Sequence, residues 1–151
     1  MDRKVIPIFF ASDERFARYT VTSLQSLMSN ASKEYQYRIH ILHNDISKEL
    51  QKKIKDMGNE NPDFEIRFDD VMPYLDTVSD RLPIRDYYSK TTYYRIFIAE
   101  MFPEYDKVIY LDSDTIVLGD ISELFCKELG ENFLGAAHEQ AMVQVDAYGT
   151  Y

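Results

Sequence analysis

Residues 106–117 read Asp106-Lys107-Val108-Ile109-Tyr110-Leu111-Asp112-Ser113-Asp114-Thr115-Ile116-Val117, an apolar run that breaks on two acids one residue apart. Val108 to Leu111 has the composition of a strand buried on both faces, as in a parallel sheet. Such a strand releases its chain at the carboxyl edge of the sheet, where open α/β sheets hold their ligands. On extended backbone, side chains two apart leave the same side, so Asp112 and Asp114 are expected to meet at that rim. Two like charges so placed are unfavourable unless a cation or a basic group joins them. Oxygen ligands suit Mg²⁺ or Mn²⁺, which keep positions open for water or phosphate, and such an ion would act as a Lewis acid on a phosphate leaving group. The spacing alone says little, because 15 Asp in 151 residues yield on the order of one Asp-x-Asp by chance. A solvated turn capping the next element accounts for it equally well.

Upstream the chain alternates strand and helix. Val5, Ile6, Ile8, Phe9 and Phe10 form a buried first strand. Tyr19, Leu24, Leu27 and Met28 have helical spacing from Phe16 onward, with Ser12 or Asp13 as N-cap. Tyr37, Ile39, Ile41 and Leu42 make a second strand; Ser47 caps a helix carrying Leu50, Ile54 and Met57, and Gly58 stops it. Phe64, Ile66 and Phe68 alternate with charges, which predicts a third strand near an edge. Residues 69–90, with Pro73 and Pro83, read as a long loop holding one helical turn. Thr91 to Met101 reads as a helix from Tyr94, Phe97, Ile98 and Met101, ended by Pro103. Thr115 to Leu118 is apolar before Gly119 and Asp120 turn the chain, and Phe133 to Ala137 reads as one more short strand. This order predicts an α/β fold of one domain, with a mostly parallel, helix-flanked, Rossmann-like sheet. Ser12-Asp13 and Asp112-Asp114 both fall at strand exits.

Apolar residues at 45% and charged residues at 28% belong to a globular chain. A net charge of -9 argues against nucleic acid or anionic lipid as partners, and means that a nucleoside diphosphate needs a cation to bind. The lone Cys126 excludes an intrachain disulfide and a cysteine metal cluster. With no signal peptide or membrane-length apolar stretch, a cytoplasmic location and no integral membrane segment are expected. Twelve Tyr and nine Phe suit a carbohydrate surface, although aromatic stripes more often build cores.

Phe10-Ala11-Ser12-Asp13, Thr91-Thr92-Tyr93-Tyr94-Arg95, the 106–117 stretch, Asp120-Ile121-Ser122-Glu123-Leu124-Phe125 and Leu134-Gly135-Ala136-Ala137, taken together and in this order, resemble family 8 glycosyltransferases, the group of glycogenin and the lipopolysaccharide galactosyl- and glucosyltransferases. The resemblance covers essentially the whole chain. It implies a nucleotide-diphospho-sugar transferase fold, a UDP-sugar donor, Mn²⁺ or Mg²⁺, a glycan or lipopolysaccharide acceptor, and hexose transfer with retention. By position it implies Asp112 and Asp114 as metal ligands, with Asp112 and the Ser113 backbone also near the ribose. Ala11 and Asp13, in the loop with Ser12, would meet the uracil edge, Phe16 would stack on the uracil where the family often has Tyr, and Arg95 would approach the diphosphate or sugar. It names no nucleophile. Each residue also has a plainer place: Asp13 as a helix cap, Phe16 in the core, Arg95 as an exposed helix charge.

Family members continue past this length with an Asn-Ala-Gly segment and a late metal-binding His, neither of which occurs in residues 1–151. The expectation is therefore residues 1–151 as the nucleotide-sugar-binding portion of a longer domain whose C-terminal part is missing, with weak metal binding, doubtful activity alone, and an apolar edge prone to self-association. His40, His43 and His138 are expected to be structural or solvent-facing. Two alternatives stay open: a non-catalytic UDP-binding or assembly module, and a haloacid-dehalogenase-like phosphatase with Asp112 as nucleophile. That phosphatase family places Thr or Val four residues after its first Asp, near the N-terminus; here Ile116 holds that place, deep in the chain.

Overall fold

The computed structural model describes residues 3–78 and 90–137. Four parallel strands, β1 (Val5–Ala11), β2 (Gln36–His43), β3 (Phe64–Asp70) and β4 (Ile109–Tyr110), lie in the order β3-β2-β1-β4. The helices are α1 (Ala17–Asn30), α2 (Lys48–Asn59), α3 (Met72–Val78), α4 (Ile98–Met101) and α5 (Ile121–Phe125), with a 3₁₀ segment at Lys90–Phe97. None among the described residues is long and apolar enough to cross a membrane.

Strand parity divides the core. Ile6, Ile8 and Phe10 of β1 and Ile39 and Ile41 of β2 pack with Leu24 and Leu27 of α1, Ile54 of α2, and Ile121 and Phe125 of α5. Phe9, Ala11 and Leu42 point the other way, onto Val71, Leu75, Tyr94, Phe97 and Ile98. Each fully buried Leu, Ile or Phe contributes about 1.5–3 kcal/mol relative to an exposed one. With both faces covered, β1 has the continuous apolar sequence that a two-sided burial favours, while β2 places Arg38 and His40 among its apolar residues.

Several local expectations change. The helix expected over Thr91–Met101 is 3₁₀ to Phe97 and α only from Ile98. Its apolar residues Tyr94, Phe97 and Met101 include a three-residue step, which suits three residues per turn as well as 3.6. Gly58 does not stop α2, which runs on to Asn59; a Cβ there would stand 2.9 Å from Ile66 Cδ1, so the glycine lets α2 close on β3. Ser47 caps α2 as expected, accepting from Leu50 N–H. The expected loop over 69–90 instead holds the end of β3 and α3; residues 79–89 lie outside the described part, as does His138. Phe133–Ala137 is exposed and unpaired rather than a strand, because an apolar run needs a neighbouring ladder to become one. Tyr19 faces outward; α1 instead buries Ala17, Thr20, Ser23, Leu24 and Leu27.

Candidate functional site at the carboxyl edge

The strand order fixes where a ligand can sit. From β1 the chain steps outward to β2 and β3, then returns to the opposite flank of β1 as β4. The order reverses between β1 and β4, and in open α/β sheets such a reversal point is where a ligand crevice is expected. One loop carries Ala11, Ser12, Asp13 and Phe16, the other Asp112, Ser113 and Asp114.

A direct bond ties the two loops together: Ser113, 7% exposed, donates its hydroxyl to the Ala11 carbonyl at 2.6 Å. Ser12, fully buried, donates its N–H to Leu42 O at 3.0 Å and accepts from Thr20 Oγ1 at 2.9 Å. Asp13 caps the turn that leads into α1: its carboxylate accepts from Phe16 N–H at 2.8 Å, and its carbonyl accepts from Ala17 N–H. The helix N-cap position itself is Phe16, without a side-chain bond, since the turn intervenes. Phe16 is not core; it is 45% exposed and packs beside the exposed Tyr19, with ring centroids 5.5 Å apart.

The second loop is held from α1. Thr115 Oγ1 donates to Asp112 O at 2.8 Å and lies 3.1 Å from Ser23 Oγ. Val117 N–H donates to Ser26 Oγ, and Asn30 Nδ2 donates to Val117 O. Buried polar groups must find partners, and here they serve to fasten the acidic turn to the packed helix. Asp112 and Asp114 themselves are exposed.

Arg95 meets Asp112 at 3.2 Å, with the Asp112 side chain 55% exposed, and lies 4.6 Å over the Tyr110 ring. Its Nε also donates to Thr92 O. Burial foremost, and after it the acidic pair Asp112 and Asp114, push the Tyr110 phenol up to about 12 against the opposing pull of Arg95. Tyr94 is raised to about 12 as well, by burial and then by Asp45. Tyr110, Thr115 and Ser23 were not singled out from sequence. A tyrosine inside an apolar run carries no signal of its own, and the threonine and serine acquire meaning only once α1 lies against the loop.

The two histidines among the described residues are buried. His40 stacks on Phe9 and lies within hydrogen-bond distance of Asp69 and Tyr105. His43 is held below the ordinary imidazole range by burial. Two surface grooves, of about 480 Å³ and 420 Å³, lie elsewhere; Asp13, Asp112 and Asp114 line neither. Among the described residues no three His, Cys, Asp or Glu side chains converge as a metal cage. The expected extended backbone through the two acids is instead a turn, with Thr115 N–H donating to Asp112 O at 3.2 Å, so strand parity does not bring Asp112 and Asp114 together. What remains is the donor chemistry, two exposed carboxylates of the type that suits a hard ion.

The family description Glycosyl transferase family 8 matches residues 7–148. Glycosyltransferase GlyE of Streptococcus pneumoniae is 32% identical over 141 residues, 86% of this chain and 30% of its own length. Glycosyltransferase GlyD of the same organism is 32% identical over 136 residues, covering 87% and 15%. The galactosyltransferase LgtC, solved in complex with donor and acceptor sugar analogues, gives a TM-score of 0.79 at 29% identity, covering 95% of this chain and 50% of that one. The chain thus spans half of LgtC and less than a third of either curated relative. With the fold, the order of its segments and these matches in agreement, the chain belongs to glycosyltransferase family 8.

Proposed function

We propose that residues 1–151 are the nucleotide-sugar-binding portion of a metal-dependent, retaining glycosyltransferase that moves a hexose from a UDP-sugar to a glycan or lipopolysaccharide acceptor in the cytoplasm. The observation that carries this reading is the Ser113 to Ala11 hydrogen bond, which sets the acidic turn beside the Asp13 loop at one crevice. Family membership favours transfer over hydrolysis of a phosphate ester.

In this reading Ala11 and Asp13, in the loop held by the buried Ser12, receive the uracil edge, and the exposed ring of Phe16 stacks on the base. Asp112 and Asp114 hold Mn²⁺ or Mg²⁺, with Asp112 and the Ser113 backbone close to the ribose. The ion, when bound, supplies a Lewis acid that offsets the negative charge growing on the departing diphosphate. Arg95 adds a second positive charge; it leaves Asp112 for the phosphates, a small step because an exposed ion pair is worth only about 0–1 kcal/mol. The chain's net charge of -9 makes these cations necessary for a diphosphate ligand.

Calorimetric titration of UDP with and without Mn²⁺ tests the reading. Binding is expected to require the metal and to weaken about tenfold or more in Asp112→Ala, the loss of one of two ligand carboxylates. Metal-independent binding, or equal binding by the variant, overturns it. A sugar-transfer assay beside the titration separates the enzyme from a binding module, which would bind UDP without turnover.

A further inference from the structure

We propose a second binding site, remote from the crevice: a groove between α2 and the edge strand β3 that takes an extended acidic polypeptide segment as an added strand. β3 ends the sheet, so half of its main-chain N–H and C=O groups face away from β2 and can pair with another strand. Alongside it runs a groove of about 480 Å³ lined by Lys48, Gln51, Lys52, Lys55, Asp56 and Asn59 of α2, and by Phe64, Glu65 and Ile66. Helix on one side and free strand edge on the other is the geometry in which a peptide adds to a sheet, with main-chain bonds giving affinity and side chains giving choice.

The charges say which peptide. Lys48, Lys52 and Lys55 fall on one stripe of α2, about one turn apart. Among the described residues none of the three has a carboxylate within ion-pair distance; Lys55 lies 5.7 Å from the Phe68 ring centroid. The acids nearby are already engaged: Glu65 by Arg38 and Arg67, and Asp56 by the Asn59 amide. Lys53, outside the groove, is paired with Glu49. A chain with a net charge of -9 therefore keeps three uncompensated ammonium groups beside its one open edge in this region. A second copy is a poor occupant, because edge-to-edge pairing would set lysines against lysines. The row of main-chain donors and acceptors selects a polypeptide over an anionic glycan. Alternating side chains on an added strand would direct every second residue toward the lysines.

The probe is a fluorescein-labelled decapeptide alternating Glu and Thr, followed by anisotropy. A companion replaces each Thr by Pro, which keeps the charge and removes main-chain donors. The first peptide is expected to bind about tenfold or more tighter than the second. Combined Lys48→Glu, Lys52→Glu and Lys55→Glu should weaken it about tenfold or more, whereas Lys53→Ala should change it about twofold or less. Lys52→Ala alone should show a smaller loss in the same direction, which guards against misfolding of the triple variant. UDP titration of each variant should match the parent chain, separating this site from the crevice. Equal binding of the proline peptide, an unchanged affinity in the triple variant, or tighter binding of an acidic oligogalacturonate overturns the proposal.

Discussion

On the β2 side of β1 the ladder runs through seven residue pairs, from Val5 and Gln36 to Ala11 and Leu42, whereas on the β4 side only Ile8 with Ile109 and Phe9 with Tyr110 are paired. The packing follows the same division. Leu24, Leu27, Ile39 and Ile41 are wholly buried, while past Asp114 the side chains of Ile116, Leu118, Leu124, Phe133 and Leu134 face outward. The candidate crevice lies on the seam between these flanks. Its Asp13 loop hangs from the well-packed side, and its acidic turn hangs from a two-residue strand fastened by Ser23, Ser26, Asn30 and Ser113. Side-chain hydrogen bonds thus do on one flank what a long ladder and an apolar core do on the other.

Removing core volume on the packed flank should have the largest effect. Leu27→Ala at a fully buried site should destabilise the chain by about 2–5 kcal/mol, read from the shift of the urea midpoint at constant slope. A loss under about 1 kcal/mol would erase the contrast between flanks.

The next effect depends on pH. Burial holds His43 below its ordinary value, so the folded chain binds fewer protons there than the unfolded chain. Its contribution to stability is present above the unfolded histidine pKa of about 6.5 and is lost as pH falls below it. His43 Nδ1 also has no hydrogen-bond partner among the described residues, and the attraction of Asp70, Asp45 and Asp69 for the charged ring is outweighed by its burial. Denaturation midpoints measured between neutral and mildly acid pH should fall for the parent chain and fall less for His43→Gln. Parallel curves for the two would show that this burial carries no penalty for charge.

The smallest expected effect is on the other flank. Leu118→Ser, at a side chain 86% exposed, should leave stability within about 0.5 kcal/mol while reducing self-association in light scattering. A large loss of stability would mean that this leucine is covered in solution.

Much of the packed flank was readable beforehand because its signals are local. A continuous apolar run, a serine before a 3.6-residue stripe and alternating charges in the third strand each report on their own segment. The acidic turn was readable only through its place at a strand exit. What escaped the sequence depends on partners distant in the chain. Gly58 reads as a helix stop until Ile66 is seen 2.9 Å from its missing Cβ. Phe133 to Ala137 has strand composition and no strand to pair with. The Arg95 to Asp112 contact joins a 3₁₀ segment to a turn 17 residues later, and no periodicity announces it. Of the site residues, Ser113 is bonded to Ala11 and Arg95 to Asp112, while the ligand roles of Ala11, Ser12, Asp13, Phe16, Arg95, Asp112, Ser113 and Asp114 await the titrations.

The Ser113 to Ala11 bond spans 102 residues of chain, and this separation bears on assembly during synthesis. Closing so long a loop is slow relative to local pairing. As the chain leaves the ribosome, β1, β2 and β3 with their helices can collapse before Ile109 has been added. The crevice then forms last, when β4 docks on a surface already made. A nascent chain arrested short of residue 109 should possess a three-stranded sheet without the Ser113 to Ala11 bond, so the two loops are joined in a single later step.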